Sequence, residues 1–448
     1  MLILYDKLIA MSKGNIISAI DLGTDKCVTL IAKVNETDQL EVLGFSVVPS
    51  RGVRRSTIIN LEEALSTVGQ SLDAAERMAG LAVKNVVLSV SGVYIRYKNS
   101  KGVVPVSSPN QEISSLDVDR VIEAARAISL PSEREIIHVI PKDFKVDSQE
   151  GIKDPVGMMG VRLESETHII TGLSTSLRNF EKCMGDLGLN VDAFVFSALS
   201  ASEIALTETE KELGAVLVDI GAGTTSICAY VEGVLEFSAV IPVGAKYITQ
   251  DIASGLRISL EDAEKLKLYL SGDEEIKLVP LPGESKAEFT KRKKKFDLLD
   301  IEKIGITNHD PISRKFVTDV VMEPRIKEIF SLVMEELAKA GLLDGNKLPA
   351  GIVVTGGGAL TYNLIDVARY VTKMSVRLAK PNNILGLTDD IKQVNFAVAL
   401  GLLAYAKRQG NIGPSSGGSD FSFKNIFPQA IFKAIPEKAK NLFKKIFP

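Results

Sequence analysis

"SAIDLGTDKCVTLIAKV", residues 18–34, has a counterpart in "AVLVDIGAGTTSICAYV", residues 215–231. Each phrase is an apolar run ending in Asp (Asp21, Asp219), then Gly and Thr, then a second run rich in β-branched residues. β-branched residues suit strands and Gly-bearing polar stretches suit tight turns, so each phrase reads as strand, turn, strand. Such a turn exposes backbone N–H groups at its glycines and adds a Thr hydroxyl, a combination that cradles phosphate. Asp21 and Asp219 stand where a carboxylate holds Mg2+ directly or through its waters. Two such hairpins facing each other would clamp a triphosphate from both sides. A third element, "GIVVTGGGAL" (351–360), is a strand running into Gly356, Gly357 and Gly358, where backbone can approach a base or ribose closely. Any one of these is compatible with an ordinary glycine turn. The three in this order argue for one composite site.

The chain has 448 residues, 45% hydrophobic and 24% charged, enough apolar matter for two cores. Its net charge of −3 argues against a general nucleic-acid binder. Cys27, Cys183 and Cys228 lie far apart in apolar patterns and read as buried thiols of a reducing compartment. Neither they nor His138, His168 and His309 show metal-ligand spacing. The opening "MLILYDKLIA" is broken by Asp6 and Lys7 and is too short for a signal peptide; Met1 and Met11 are both candidate starts. The longest obvious apolar run, "AVALGLLAYA" (397–406), falls short of the roughly 18 to 20 residues that span a bilayer and reads as a core helix. These features imply a cytoplasmic body.

Strand and helix patterns alternate, as in "LEEALSTVGQSLDAAERMAG" followed by "NVVLSV", which is the grammar of an α/β protein. The expected first lobe is 14–90 with 164–213, interrupted by an inserted α+β subdomain at 91–163. That insert holds the helix "SLDVDRVIEAARAI" and two strands, "REIIHVI" and "KDFKVD". The expected second lobe is 214–250 with 346–407, interrupted by a charged helical subdomain at 251–345. The basic run "TKRKKKF" (290–296) there reads as a solvated face. Residues 408–420 have the composition of a flexible linker and 421–448 form a separate amphipathic segment.

The ordered set "AIDLGTDK", "VDIGAGTT" and "VVTGGGAL" resembles the two phosphate motifs and the adenosine motif of the actin, sugar-kinase and heat-shock chaperone superfamily. Within it, "ELGAVLVDIGAGTTSI", "SLEDAEKLK", "VMEPRIKEI" and "NNILGLTDD" are similar to phrases of the bacterial FtsA cell-division family. The resemblance implies a two-lobed actin-like fold with ATP and Mg2+ between pseudo-symmetric halves. It places Asp21, Gly23 and Thr24 in the first phosphate loop, and Asp219, Gly221, Gly223, Thr224 and Thr225 in the second. It further implies that Glu264 and Lys267 bracket the adenosine with Gly356–Gly358, although an exposed ion pair would give the same spacing. Lys26 is left out, because its offset from Asp21 does not match the lysine of actin. The implied partners are the tail of the tubulin-like protein FtsZ, copies of the chain in filaments, and other division proteins. Arg325 in "VMEPRIKEI" is either a carboxylate clamp for that tail or the start of a structural helix. A pilus-assembly protein of the PilM type, a kinase and a chaperone are the alternatives on the same fold.

In hydrolysing members of the superfamily a Glu or Gln orients the attacking water, and the matching stretch here is "FSALSASEIAL". Ser197 and Ala198 occupy that place and the nearest carboxylate, Glu203, comes at least a helical turn later, so ATP hydrolysis is expected to be slow. In "IPEKAKNLFKKIFP" Leu442, Phe443, Ile446 and Phe447 share one helical face and Lys444 and Lys445 lie on another. That pattern suits an anionic membrane surface. Together with that pattern, the family resemblance implies a location on the cytoplasmic face of the cell membrane at the division site.

Overall fold

The computed structural model describes residues 16–409 apart from 109, 273–279, 307–310, 382–383, 387–390 and 392. Both quoted phrases fold as antiparallel hairpins, each at the heart of its own sheet. The first lobe starts with β1 (Ile16–Leu22), β2 (Lys26–Val34) and β3 (Leu40–Pro49), followed by a ribbon of β4 (Val53–Arg54) and β5 (Thr57–Ile58). After the Leu61–Ala79 helix comes β6 (Asn85–Val90), parallel to β1. The chain then leaves for β7 (Arg96–Pro105), β8 (Arg134–Val146), β9 (Gln149–Ile152) and β10 (Arg162–Leu173), a four-stranded sheet in the order β7-β10-β8-β9. It returns through β11 (Asn190–Phe196), parallel to β6.

The second lobe repeats the plan with β12 (Ala215–Ile220), β13 (Thr225–Val231) and β14 (Val234–Ile241). A helical stretch carrying the ribbon of β15 (Leu298–Leu299) and β16 (Ile312–Ser313) precedes β17 (Gly351–Thr355) and β18 (Val376–Leu378). The sheet order is β14-β13-β12-β17-β18, with β17 parallel to β12 just as β6 is parallel to β1. β19 (Ile384–Gly386) crosses back to pair with β3, giving the first sheet the order β11-β6-β1-β2-β3-β19.

The inserted sheet carries its own small core, in which Val118, Val121 and Ile122 of the Ser115–Arg126 helix meet Phe144 and Leu163. Ser114 caps that helix in a reciprocal capping box with Asp117. Two strands were expected between 134 and 147, and the structure has one. β8 runs unbroken through Pro141, where a register shift against β10 absorbs the residue that cannot donate to the ladder. The boundary expected at 163 falls at the start of β10, and the core helix expected over 397–406 runs to Gln409, past the lobe end expected at 407.

The lobes meet along two helices, Ser197–Ala205 and Ala397–Gln409. Both are rich in small residues, and the second, expected to be a core helix, is almost wholly buried. A Cβ placed on Gly401 would lie 1.9 Å from the Ser200 carbonyl oxygen, so only glycine permits this crossing. Ser200 Oγ donates to the Val398 carbonyl at 2.7 Å across the same contact. All three cysteines are buried free thiols. Among the described residues no helix is long and apolar enough to cross a membrane.

Candidate functional site

The two hairpin turns have the same backbone geometry. Gly23 N–H donates to the Lys26 carbonyl at 3.0 Å, and Gly221 N–H donates to the Thr224 carbonyl at 2.9 Å. A Cβ on either glycine would sit about 3 Å from that carbonyl, which is why glycine opens both turns. The tips face each other: a Cβ on Gly223 would lie 2.8 Å from Thr24 Oγ1. After β13 and β14 the chain returns to the second tip and enters the Lys246–Leu256 helix, whose start is fastened to the loop by Ala245 N–H to Gly221 O and Lys246 N–H to Ala222 O.

Asp21 and Asp219 end their strands beneath these tips. Ser89 Oγ donates to Asp21 Oδ1 at 2.5 Å. Burial raises the Asp21 carboxyl above the ordinary carboxylate range, against the pull of Ser89 and Lys26. Burial pushes Asp219 up to about 7, and the neighbouring Asp21 charge acts in the same direction. Ser197, the first residue of its helix, turns a buried hydroxyl toward Asp219, where it pulls the carboxyl pKa down against burial, and among the described residues that hydroxyl finds no partner in full hydrogen-bond geometry. Two desolvated carboxylates and an unsatisfied hydroxyl converging under paired glycine turns form an oxygen-rich donor set, which fits a hydrated Mg2+. Glu203, the nearest following carboxylate in the sequence, is occupied by an ion pair with Arg408 at 3.0 Å.

The Gly356–Gly358 run joins the site from β17. Gly356 has φ 86°, and a Cβ on it would lie 2.6 Å from Asp219 Oδ1 and 2.5 Å from the Ile220 carbonyl. Gly358 packs against Ile220 in the same way, whereas Gly357 faces open space. Tyr362 N–H, just beyond, donates to Ser271 Oγ, and Ser271 Oγ donates to the Lys267 carbonyl. Lys267 and Glu264 therefore belong to the helix that borders the glycine run. Their pair is half-buried rather than fully exposed, the Glu264 side chain being 40% exposed. Lys267 is 7% exposed, and its Nζ donates to Glu264 at 2.8 Å and to Thr249 Oγ1 at 2.9 Å.

Some expected residues take other positions. Thr225 Oγ1 donates to the Val243 carbonyl on the side of β13 opposite Thr224, because successive strand residues face opposite ways. Arg325 is engaged within the chain, with Nε and Nη2 forming a fork on Asp251 at 2.6 and 2.9 Å and Nη1 on Glu328. Leu442, Phe443, Lys444, Lys445, Ile446 and Phe447, and the whole expected membrane segment, lie outside the described residues.

The structure adds Lys26, which motif matching left out, and several serines that it missed. Lys26 occupies, in the first turn, the place Thr224 holds in the second, and lies over the Phe396 ring at 4.8 Å. Burial lowers its pKa, and Asp21, Asp25 and Asp219 oppose that shift. Ser91 Oγ hydrogen-bonds Ser226 Oγ at 2.7 Å across the lobes. Ser56 N–H donates to Thr24 Oγ1 at 3.0 Å, while Ser56 Oγ lies 3.3 Å from Thr224 Oγ1. The matching turn geometry was the signal available for Lys26.

A family model described as "Cell division protein FtsA" matches residues 216–401, and one described as "SHS2 domain inserted in FTSA" matches 92–171. The cell division protein FtsA of Pseudomonas aeruginosa is 34% identical over 421 residues, covering 94% of this chain and 96% of the relative. The chain belongs to the FtsA family. The FtsA of Borreliella burgdorferi is 38% identical over 395 residues, with 88% of this chain and 92% of the relative covered. A solved PilM-PilN type IV pilus biogenesis complex shares the fold, with TM-score 0.60, 14% identity, and coverage of 87% of this chain and 98% of that chain. The two-lobed α/β architecture with paired hairpins is thus the actin-like ATPase fold, and in FtsA terms β7–β10 with their helix make up the SHS2 insert.

Proposed function

We propose that this FtsA-family chain binds Mg-ATP between its lobes, polymerises in that state, and anchors the FtsZ ring to the inner face of the cell membrane through its C-terminal segment. The observation that carries the nucleotide half is the meeting of two matching turns, one from each lobe, over the buried carboxylate of Asp219 and the half-buried one of Asp21. The backbone N–H groups of both turns hold the phosphates, with Thr24 and Thr224 adding hydroxyls. Asp21 and Asp219 hold the metal, which neutralises phosphate charge when bound. Gly356 and Gly358 leave room for the nucleoside, and the Lys267–Glu264 pair borders it.

Ser197 faces Asp219 where a water-orienting carboxylate or amide would be needed, so hydrolysis is slow and nucleotide acts mainly as a structural clamp. The subdomain 251–345, which holds the Glu323–Lys339 helix and Arg325, is the proposed surface for the FtsZ tail, and any carboxylate reaching Arg325 must displace Asp251. The membrane half rests on the composition of residues 421–448, with lysines beside Phe and Leu. One tail binds weakly, and a filament presenting many binds firmly. Co-sedimentation with anionic vesicles tests this reading. Truncation after Asp420, or Phe443→Glu, should release the protein while nucleotide binding persists. Equal sedimentation of truncated and full chains would remove the anchor from the segment.

A further inference from the structure

The β4–β5 ribbon, "RGVRRSTIIN" (51–60), lies across the mouth of the cleft and belongs to none of the motifs that define it. Its two-residue turn, Arg55 and Ser56, has φ 48° and 56°, a left-handed conformation in two consecutive residues that are not glycine. Strain of this kind persists where surrounding contacts over-determine it, and it gathers at functional sites. The contacts here are the two phosphate turns themselves. Ser56 takes Thr24 of the first lobe through its N–H and meets Thr224 of the second through its hydroxyl. A Cβ on Gly223 would lie 3.0 Å from the Arg55 Cα, so the Arg55 backbone rests on the tip of the second turn.

From there the Arg55 guanidinium reaches into the second lobe, where it donates to Tyr247 Oη and lies 5.7 Å from the centre of that ring. Tyr247 is the second residue of the helix that hangs from the Gly221–Thr224 turn. Among the described residues no carboxylate pairs with Arg55. Arg325 lies over the same ring at 5.6 Å, and it holds Asp251 and Glu328. An exposed guanidinium at the mouth of an anion cradle, held by one phenol and a π face, is a fork still open to a bidentate phosphate.

We infer that Arg55 is the ligand of the terminal phosphate, so that the cleft distinguishes a nucleoside triphosphate from a diphosphate through this ribbon. The inference rests on the nucleotide site proposed above and adds a residue and a specificity to it. With a triphosphate bound, Arg55 exchanges the neutral Tyr247 hydroxyl for an anionic oxygen. Without the third phosphate it returns to Tyr247.

The test is calorimetric titration of the full chain with Mg-ATP and, separately, Mg-ADP, for wild type, Arg55→Ala, Arg55→Lys and Asp219→Ala. Arg55→Ala should lose about tenfold or more in ATP affinity, equivalent to about 1.4 kcal/mol, while ADP affinity changes by less than about threefold. Arg55→Lys, which keeps the charge without the fork, should fall between wild type and Arg55→Ala for ATP. Asp219→Ala should lose both ligands. Equal losses of ATP and ADP in Arg55→Ala would assign the residue a structural role and overturn the inference, as would unchanged ATP affinity in both Arg55 variants. A wild-type chain that binds neither nucleotide would overturn the site itself and this inference with it.

Discussion

His138 links the SHS2 insert to the joint between the lobes, and its protonation is the perturbation we develop first. It lies on β8, 4% exposed, and its Nε2 accepts the Phe196 N–H at 3.0 Å, one residue before Ser197. A backbone amide only donates, so Nε2 carries the lone pair and Nδ1 the proton, which faces Tyr405 Oη at 3.3 Å. Burial pushes the His138 pKa down to about 3, with the Arg408 charge adding to the effect. In the unfolded chain the ring titrates near 6.5, so below that pH the unfolded state takes a proton the folded state refuses. The stability from His138 is fully present above about pH 6.5 and falls by about 1.4 kcal/mol for each unit below it. At pH 5 the loss from this one ring is about 2 kcal/mol. His138→Gln isolates it, because the glutamine carbonyl can accept the Phe196 N–H and does not titrate. Urea unfolding followed by circular dichroism at pH 7.5 and pH 5 should show wild type losing about 2 kcal/mol relative to the variant. A gap that stays constant within about 0.5 kcal/mol would refute the assignment of a neutral, buried acceptor. His168, held between Asn99 Oδ1 and Ser238 Oγ and likewise pushed to about 3 by burial, should behave the same way in its own variant.

Three further outcomes are expected. Asp21→Ala and Asp219→Ala should each abolish tight Mg-ATP binding in calorimetry while circular dichroism stays unchanged, and preserved affinity in both would remove the paired-carboxylate site. Gly401→Ala should destabilise the protein by about 1 to 3 kcal/mol in urea unfolding, because the new methyl meets the Ser200 carbonyl and overpacks the crossing of the two helices; unchanged stability would mean the helices part at no cost. Phosphate release from ATP by the chain alone should run well below the roughly 1 s⁻¹ of working phosphotransfer enzymes, and turnover at that rate would show that Ser197 is not the limiting feature.

The repeated phrase was legible because everything it needs is local. An apolar run, a glycine turn and a β-branched run specify a hairpin without reference to the rest of the chain, and β1–β2 and β12–β13 form as antiparallel pairs. The "TGGG" turn and the core helix at 397–406 were readable for the same reason. The step from the last turn residue, Thr224, to the first residue of β13, Thr225, also carried the information that the two face opposite sides, although motif matching passed over it.

What tertiary structure alone decided lies in pairs far apart in sequence. Ser89 reaches Asp21 because parallel pairing sets β6 beside β1. Arg55 meets Tyr247 because the ribbon of one lobe lands on the turn of the other. Arg325, a free clamp on paper, finds Asp251 from another helix. The carboxyl of Asp219 rises to about 7 because burial strips its water and Asp21 stands beside it. Desolvation and the approach of distant charges depend on how the lobes close, and no local pattern of residues encodes them. The sequence by itself determined the two hairpins and their order; the closing of one lobe on the other determined which side chains share a site, because that contact exists only once both cores have formed.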